Sequence, residues 1–328
     1  MAEAKYAIVA DIGGTNARFS RVNLQDLSLD KVQVFACADF ASLADALQHY
    51  REQQQLQLLR DVAIAIACPV QGDEVRMTNF HWQFSIQAMK QQLQLSTLLV
   101  MNDFTAVAMC LPVVLQGQSV QIGQGQPQQG QPMAVLGAGT GLGVGHLLPL
   151  TGGLYLPLPG EGGHTDWAPV TEQEWAIHQF LAAKYGHVSP ERLLSGPGLE
   201  DLYLAIADYQ QREVEPLSAA AITAAAELGD DAVAVATLEQ FFASLGSLAG
   251  DLALTLSTAG GVFIGGGIVP RLLPLLERSA FRNRFEQKGR FQAFNQAIPT
   301  YVITAEQPGL TGAALYLKQT MTQQTQSD

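Results

Sequence analysis

Asp11, Gly13, Gly14 and Thr15 fall in the stretch "DIGGTNAR", between the apolar "YAIVA" and the strand-like "FSRVNL". Glycines with free backbone N–H groups form nests for anions and let the chain approach a phosphate closely. Thr15 adds a hydroxyl donor, and Asp11 can hold Mg2+ directly or through water. A second stretch, "GAGTGLG" at 137–143, repeats the layout of apolar strand, glycine turn and apolar strand, with Thr140 as its hydroxyl. A third, "GGG" at 265–267, opens a helix. One such turn alone reads equally as a tight hairpin with no ligand. Two strand–turn–strand units of matching chemistry point to a pair of hairpins gripping one nucleotide. The commoner nucleotide motifs are excluded: no lysine follows a glycine, and 137–143 does not match GxGxxG.

These turns need strands and helices to carry them. The 328 residues allow two domains, and 48% hydrophobic against 15% charged residues describes a chain with a large buried core. A net charge of −12 argues against nucleic acid or an anionic membrane as partner. Any anionic ligand then needs a local site of backbone amides. Cys37, Cys68 and Cys110 are far apart with no zinc-ligand spacing, and are expected as small buried hydrophobes. The opening "MAEAKY" lacks a signal-peptide core, and Asp251 interrupts the best candidate for a membrane span, so a cytoplasmic chain is expected.

Strands are expected at 6–12, in "FSRVNL", and at 33–36, 61–70 and 96–104, with a helix over 40–55 in which Leu43, Leu47 and Tyr50 share a face. The region to about residue 111 is then one α/β unit. Residues 116–132, rich in Gln, Gly and Pro, read as an exposed connection or long hairpin loop at a domain boundary. The strand–turn–strand at 132–148 is a weak internal duplication of the start. Helices are expected at 172–185, 198–211, 218–228 and 230–258, a strand–turn–helix at 260–277, and a glycine turn feeding a short helix at 307–319.

Taken in order, "DIGGTNAR", "TNFHWQFS", "NDFTAVA", "GAGTGLG", "GEGGHTDWAP", "ERLLSGPGL" and "GGGIVPR" resemble the bacterial ATP-dependent glucokinase family, from about residue 6 to residue 317. ROK sugar kinases share the glycine turns, but their cysteine-rich zinc motif is missing, which favours the non-ROK group. The resemblance implies an α/β, two-domain actin-like ATPase (ribonuclease H-like) fold with an interdomain cleft. Its small domain would be 1–111 plus 303–328 and its large domain 112–302. It implies phosphorylation of glucose at the 6-hydroxyl by ATP with Mg2+, and a homodimer. Asp103 would be the general base. Asn102, Glu161, His164 and Glu191 would bind the other hydroxyls. Gly13, Gly14, Thr15, Asn16, Gly139, Thr140 and Gly141 would face the ATP phosphates, with Asp11 for the metal. Gly265 and Gly266 would lie near the α-phosphate and adenosine.

The residue chemistry agrees without the family. Asp103 ends the apolar strand "LLVMN", a place at a cleft rim for a partly desolvated carboxylate that accepts a hydroxyl proton as a phosphoryl group arrives. Asn102-Asp103 also reads as the cap of a helix, and the two roles are compatible. A carboxylate at Glu161 can accept from two vicinal hydroxyls, and the imidazole of His164 can donate or accept. A metal held by Glu161, His164 and Asp166 is the rival reading there. Glu191 after "SP" also reads as a first-turn acid favoured by a helix dipole. Arg18 and Arg271 suit a phosphate or ordinary ion pairs. Trp82 and Trp167 suit packing more than sugar stacking, and His146, His178 and His187 read as structural or exposed. The alternatives in function are a kinase for mannose, fructose or an N-acetyl amino sugar, or a non-catalytic sugar-sensing protein on the same fold. The intact Asp103 and the lack of a basic helix-turn-helix segment weigh against the latter, and the length leaves no room for the peptide-binding domain of a chaperone-like ATPase.

Overall fold

The computed structural model describes residues 5–327. Residues 1–4, part of the "MAEAKY" stretch and of the expected small domain, and Asp328, part of that domain too, lie outside them. In chain order the elements are β1 (Tyr6–Ile12), β2 (Asn16–Asn23), β3 (Leu29–Ala36), α1 (Leu43–Gln53), β4 (Asp61–Ile66), β5 (Glu74–Arg76), β6 (Gln83–Ser85), α2 (Ile86–Gln92), β7 (Thr97–Asn102), α3 (Asp103–Val114), β8 (Ser119–Ile122), β9 (Met133–Ala138), β10 (Leu142–Pro149) and β11 (Tyr155–Gly160). They continue with α4 (Glu172–Tyr185), α5 (Gly196–Tyr209), α6 (Ala219–Leu228), α7 (Ala232–Leu256), β12 (Gly261–Gly266), α8 (Leu273–Arg278), α9 (Phe281–Glu286), α10 (Gln292–Ala297), β13 (Thr300–Ile303) and α11 (Pro308–Ser327). By internal packing the chain divides into a first unit, Met1–Gln116 with Leu150–Pro159 and Ala305–Asp328, and a second, Gly117–Pro149 with Gly160–Thr304.

The first unit is built on a sheet of order β3-β2-β1-β4-β7. β1 and β2 are an antiparallel hairpin, and β4 and β7 run parallel to β1. Register aligns Ile12 with Ile66 and Ile66 with Asn102, so the parallel strands end on one row. The alternating sides of β1 pack into two separate apolar clusters, Ile8, Ala10 and Ile12 in one, Ala7 and Val9 in the other. That is why "YAIVA" reads as continuously apolar: both faces are covered. α1 buries Leu43, Leu47 and Tyr50 on one face, and Ser42 caps it by accepting from Asp45 N at 3.1 Å. Trp82 is core, donating Nε1 to Phe40 O at 3.3 Å.

The tail differs from its expectation. Gly309 and Gly312 lie inside the twenty-residue α11 rather than in a turn before a short helix. Their smallness serves close packing. A Cβ on Gly312 would stand 1.7 Å from Ala106 O of α3.

In the second unit, strands hydrogen-bond in the order β10-β9-β12-β13-β8. β9–β10 is again an antiparallel hairpin, with β12 parallel to β9 and β13 parallel to β12. The duplication visible in the glycine turns is thus a repeat of topology. The 116–132 segment is not wholly a connection, because Ser119–Ile122 forms β8 against β13. Its glutamines hid a strand whose Ile122 is buried and whose Ile122 O accepts Thr300 Oγ1 at 2.6 Å.

α7 also corrects an expectation. By length and composition this helix is long and apolar enough to cross a membrane, and Asp251 does not prevent it. Its apolar residues are buried in the core of the unit, among them Leu238, Phe241, Phe242 and Leu245, while Asp251 takes Lys288 Nζ at 2.6 Å. Trp167 belongs to the same core and stacks on His178.

Candidate active site

In the first unit the site forms where the parallel strands end, the edge at which open α/β sheets bind ligands. Asp103 does not end the strand as expected; it is the first residue of α3, with Asn102 as the cap. Asn102 Oδ1 accepts from Phe104 N at 2.9 Å and Thr105 N at 3.2 Å, and its Nδ2 donates to Cys68 O at 3.3 Å. Asp103 Oδ1 takes Asn102 Nδ2 and Phe104 N, both at 2.9 Å. No partner among the described residues takes Oδ2. Burial pushes the Asp103 carboxyl up to about 6, the Phe104 N–H pulls it down, and the Asp11 charge adds to the rise. The result is a carboxylate with one oxygen fixed, one free, and a proton affinity near neutrality.

Asp11 lies one residue before the end of β1, opposite Arg18 of β2. Arg18 Nη1 stands 3.8 Å from Asp11 Oδ2. Burial pushes the Asp11 carboxyl above its ordinary value and Arg18 only partly offsets this. Gly309, at the start of α11, packs against it: a Cβ there would stand 3.1 Å from Asp11 Oδ2. Sequence reasoning missed Gly309, because its turn-like setting concealed that it lies against a carboxylate. A partly buried carboxylate whose counter-charge from Arg18 stands 3.8 Å away fits a cation as partner.

The two glycine turns are closed alike. Gly13 N donates to Asn16 O at 2.9 Å, and Gly139 N to Gly141 O at 2.8 Å. Those two N–H groups are used internally, so Gly13 and Gly139 offer clearance rather than donors. Gly14, Thr15, Thr140 and Gly141 keep N–H groups with no partner among the described residues.

In the second unit, Glu161 and His164 are both exposed and belong to one tight turn, with His164 N donating to Glu161 O at 3.0 Å. The turn lies directly on β10, since a Cβ on Gly163 would stand 2.2 Å from Leu142 O. Asp166 is not with them; it takes His187 Nε2 at 3.0 Å, and no group of three or more metal-ligating side chains gathers among the described residues. Glu191 sits in the 3-10 turn Pro190–Arg192, in the first-turn position for an acid. Its Oε2 accepts from Leu142 N at 2.9 Å and lies 3.8 Å from His164 Nε2. Sequence could not have found that contact, because the donor is backbone forty-nine positions away. Gly265 and Gly266 end β12 beside Gly137 and Ala138. Gly266 has φ +84, and a Cβ on it would stand 2.3 Å from Ala138 O, so no other residue fits there. Arg271 is exposed.

A sequence model of the glucokinase family matches residues 8–320. The chain is 46% identical over 318 residues to a glucokinase of Salmonella arizonae, covering 97% of this chain and 98% of that one. It is 46% identical over 315 residues to a glucokinase of Psychromonas ingrahamii, covering 96% and 98%. Its fold is similar to the crystal structure of a glucokinase from an Antarctic psychrotroph, with TM-score 0.88 and 38% identity over 96% of this chain and 99% of that one. A ROK family glucokinase from Streptomyces griseus, solved with glucose and AMPPNP, shares the fold at TM-score 0.60 and 20% identity, over 94% of this chain and 98% of that one. The fold is that of the actin-like ATPases.

Proposed function

The chain belongs to the glucokinase family, an ATP-dependent hexose kinase family, and from that premise we propose that it transfers the γ-phosphoryl group of ATP to the 6-hydroxyl of glucose, with Asp103 as the general base that accepts the hydroxyl proton. The observation that carries this is the state of the Asp103 carboxylate. Asn102 Nδ2 and Phe104 N hold Oδ1, Oδ2 is left to the substrate, and burial raises its proton affinity to about 6. A base with that value is deprotonated at neutral pH and still accepts a proton as the sugar oxygen attacks.

The sugar O6–H proton passes to Asp103 Oδ2. O6 bonds to the γ-phosphorus, the bond from that phosphorus to the β–γ bridging oxygen breaks, and ADP leaves. Phosphoryl transfer asks mainly for positioning and charge stabilisation. Glu161, His164 and Glu191 orient the ring by its hydroxyls, and N–H groups of Gly14, Thr15, Thr140 and Gly141 receive phosphate oxygens. Asn102, expected as a sugar ligand, has its donors and acceptor engaged by Cys68, Asp103, Phe104 and Thr105 and serves instead to hold Asp103. Gly265 and Gly266 would carry the backbone near the α-phosphate and adenosine, with Gly266 itself packed against Ala138. Asp11 would hold Mg2+, directly or through water, and the ion would neutralise charge on the phosphates. Exclusion of water from the reacting groups keeps ATP from being hydrolysed instead. The small domain of this reading is 1–111 plus 303–328 and the large one 112–302, and the working form is a cytoplasmic homodimer, by analogy with the family.

The test is ATP-dependent phosphorylation across glucose, mannose, fructose and N-acetylglucosamine. Glucose is expected to give the highest kcat/KM. A higher value for another hexose would overturn the glucose assignment, and no turnover on any would favour a sugar-sensing protein.

A further inference from the structure

Glu191 is tied to both halves of the second unit's chemistry. Its Oε2 accepts from the N–H of Leu142 at 2.9 Å, the residue that follows the glycine turn 139–141 and begins β10. The same oxygen lies 3.8 Å from His164 Nε2. The segment that bears Glu191 also grips the other end of the turn, because Gly196 N donates to Gly139 O at 2.8 Å. Between the two grips, Ser195 Oγ donates to Glu191 O at 2.8 Å and accepts from Gly198 N at 3.0 Å, locking the segment to the start of α5. Arg192, the neighbour of Glu191, lies 3.9 Å over the ring of Tyr185 and fixes the far side.

We propose that Glu191 is a positioning residue for the phosphate turn 139–142 as well as a sugar ligand, so that its carboxylate couples sugar binding to nucleotide binding within the second unit. Oε2 holds the turn through Leu142 N, and Oε1 remains for a sugar hydroxyl. A sugar that fixes Oε1 also fixes the geometry of Oε2, and with it the direction of the Thr140 and Gly141 N–H groups. The order imposed by one ligand is then no longer lost when the other binds, which is positive coupling. Linkage makes the effect reciprocal. This rests on the kinase reading above and adds a residue that serves both substrates.

Gly141 supplies a selective probe. A Cβ there would stand 2.7 Å from Glu191 Oε2 and meets no backbone of another segment. Its φ is not in the left-handed region, so Gly141→Ala keeps the fold and displaces the Glu191 carboxylate end. The measurement is calorimetric binding of glucose alone, of AMPPNP with Mg2+ alone, and of each in the presence of the other. The wild type is expected to bind each ligand about fivefold or more tightly when the other is present. Gly141→Ala is expected to weaken glucose binding with no nucleotide present, although Gly141 belongs to the phosphate turn. Glu191→Ala is expected to weaken AMPPNP binding with no sugar present, and Glu191→Gln, which keeps an oxygen for Leu142 N, to restore most of it. Unchanged glucose affinity in Gly141→Ala, or unchanged AMPPNP affinity in Glu191→Ala, would overturn the proposal. Failure of the wild type to bind glucose or AMPPNP at all would instead overturn the kinase reading itself.

Discussion

Asn102 Nδ2 sits 2.9 Å from Asp103 Oδ1, so the side chain that caps α3 also orients the carboxylate beside it. The helix cap and the proposed base are thus joined in one hydrogen-bonded unit. On the proposed reading the pair has two separable functions. Asn102→Ala should cost about 1 kcal/mol of stability through the lost cap and should also lower kcat. Asn102→Ser restores a capping oxygen without the Nδ2 donor. It should recover most of the melting temperature and little of the turnover. Equal recovery of both would mean that Asn102 only caps.

The raised proton affinity of Asp103 sets a pH profile. The base must be ionised, so log kcat/KM should fall with unit slope as pH drops below about 6. A flat profile down to pH 5 would remove Asp103 as the titrating group. The same shift acts on stability with the opposite preference. Folding raises this carboxyl from 3.8 to about 6, so the folded state binds the proton more tightly than the unfolded chain. That contribution is present in full below about 4 and is lost as pH rises through about 6. Asp103→Asn, which cannot ionise, should gain thermal stability over the wild type at pH 8 and lose the advantage near pH 4. Parallel melting curves across that range would contradict this.

Asp11 should separate metal from sugar. Asp11→Asn removes the charge packed beside Gly309 and leaves the second unit untouched. Turnover should fall far more than glucose affinity, and the Mg2+ concentration for half-maximal rate should rise. The coupling of Asp11 to Asp103 also predicts a lower apparent pKa for the remaining activity. A variant with normal Mg2+ dependence would place the metal elsewhere.

Much of the fold was legible because its signals are local. "YAIVADIGGTNARFS" reads as a hairpin since β1 is covered on both faces and the turn residues are small. Leu43, Leu47 and Tyr50 declare α1 by spacing alone. What escaped was decided by tertiary contact. β8 is four residues long, "SVQI", too short to stand out beside the Gln, Gly and Pro that follow it, and it pairs with β13. Gly309 and Gly312 resemble turn residues, yet they are small because Asp11 and Ala106 lie against them. Asp251 looked like a break in an apolar run, whereas one ion pair at the surface of α7 accommodates it. In the site, the residue types pointed to the chemistry, but the held and free oxygens of Asp103 and the contact of Glu191 with Leu142 are distances that no spacing along the chain encodes.

The most direct test is the single-turnover rate of Asp103→Asn with saturating ATP, Mg2+ and glucose, beside glucose affinity measured separately. Asn keeps Oδ1 for its two donors and replaces only the oxygen given to the sugar. The account predicts a rate lower by about 10²–10⁴-fold with glucose affinity changed little. A rate within a few-fold of the wild type would contradict it.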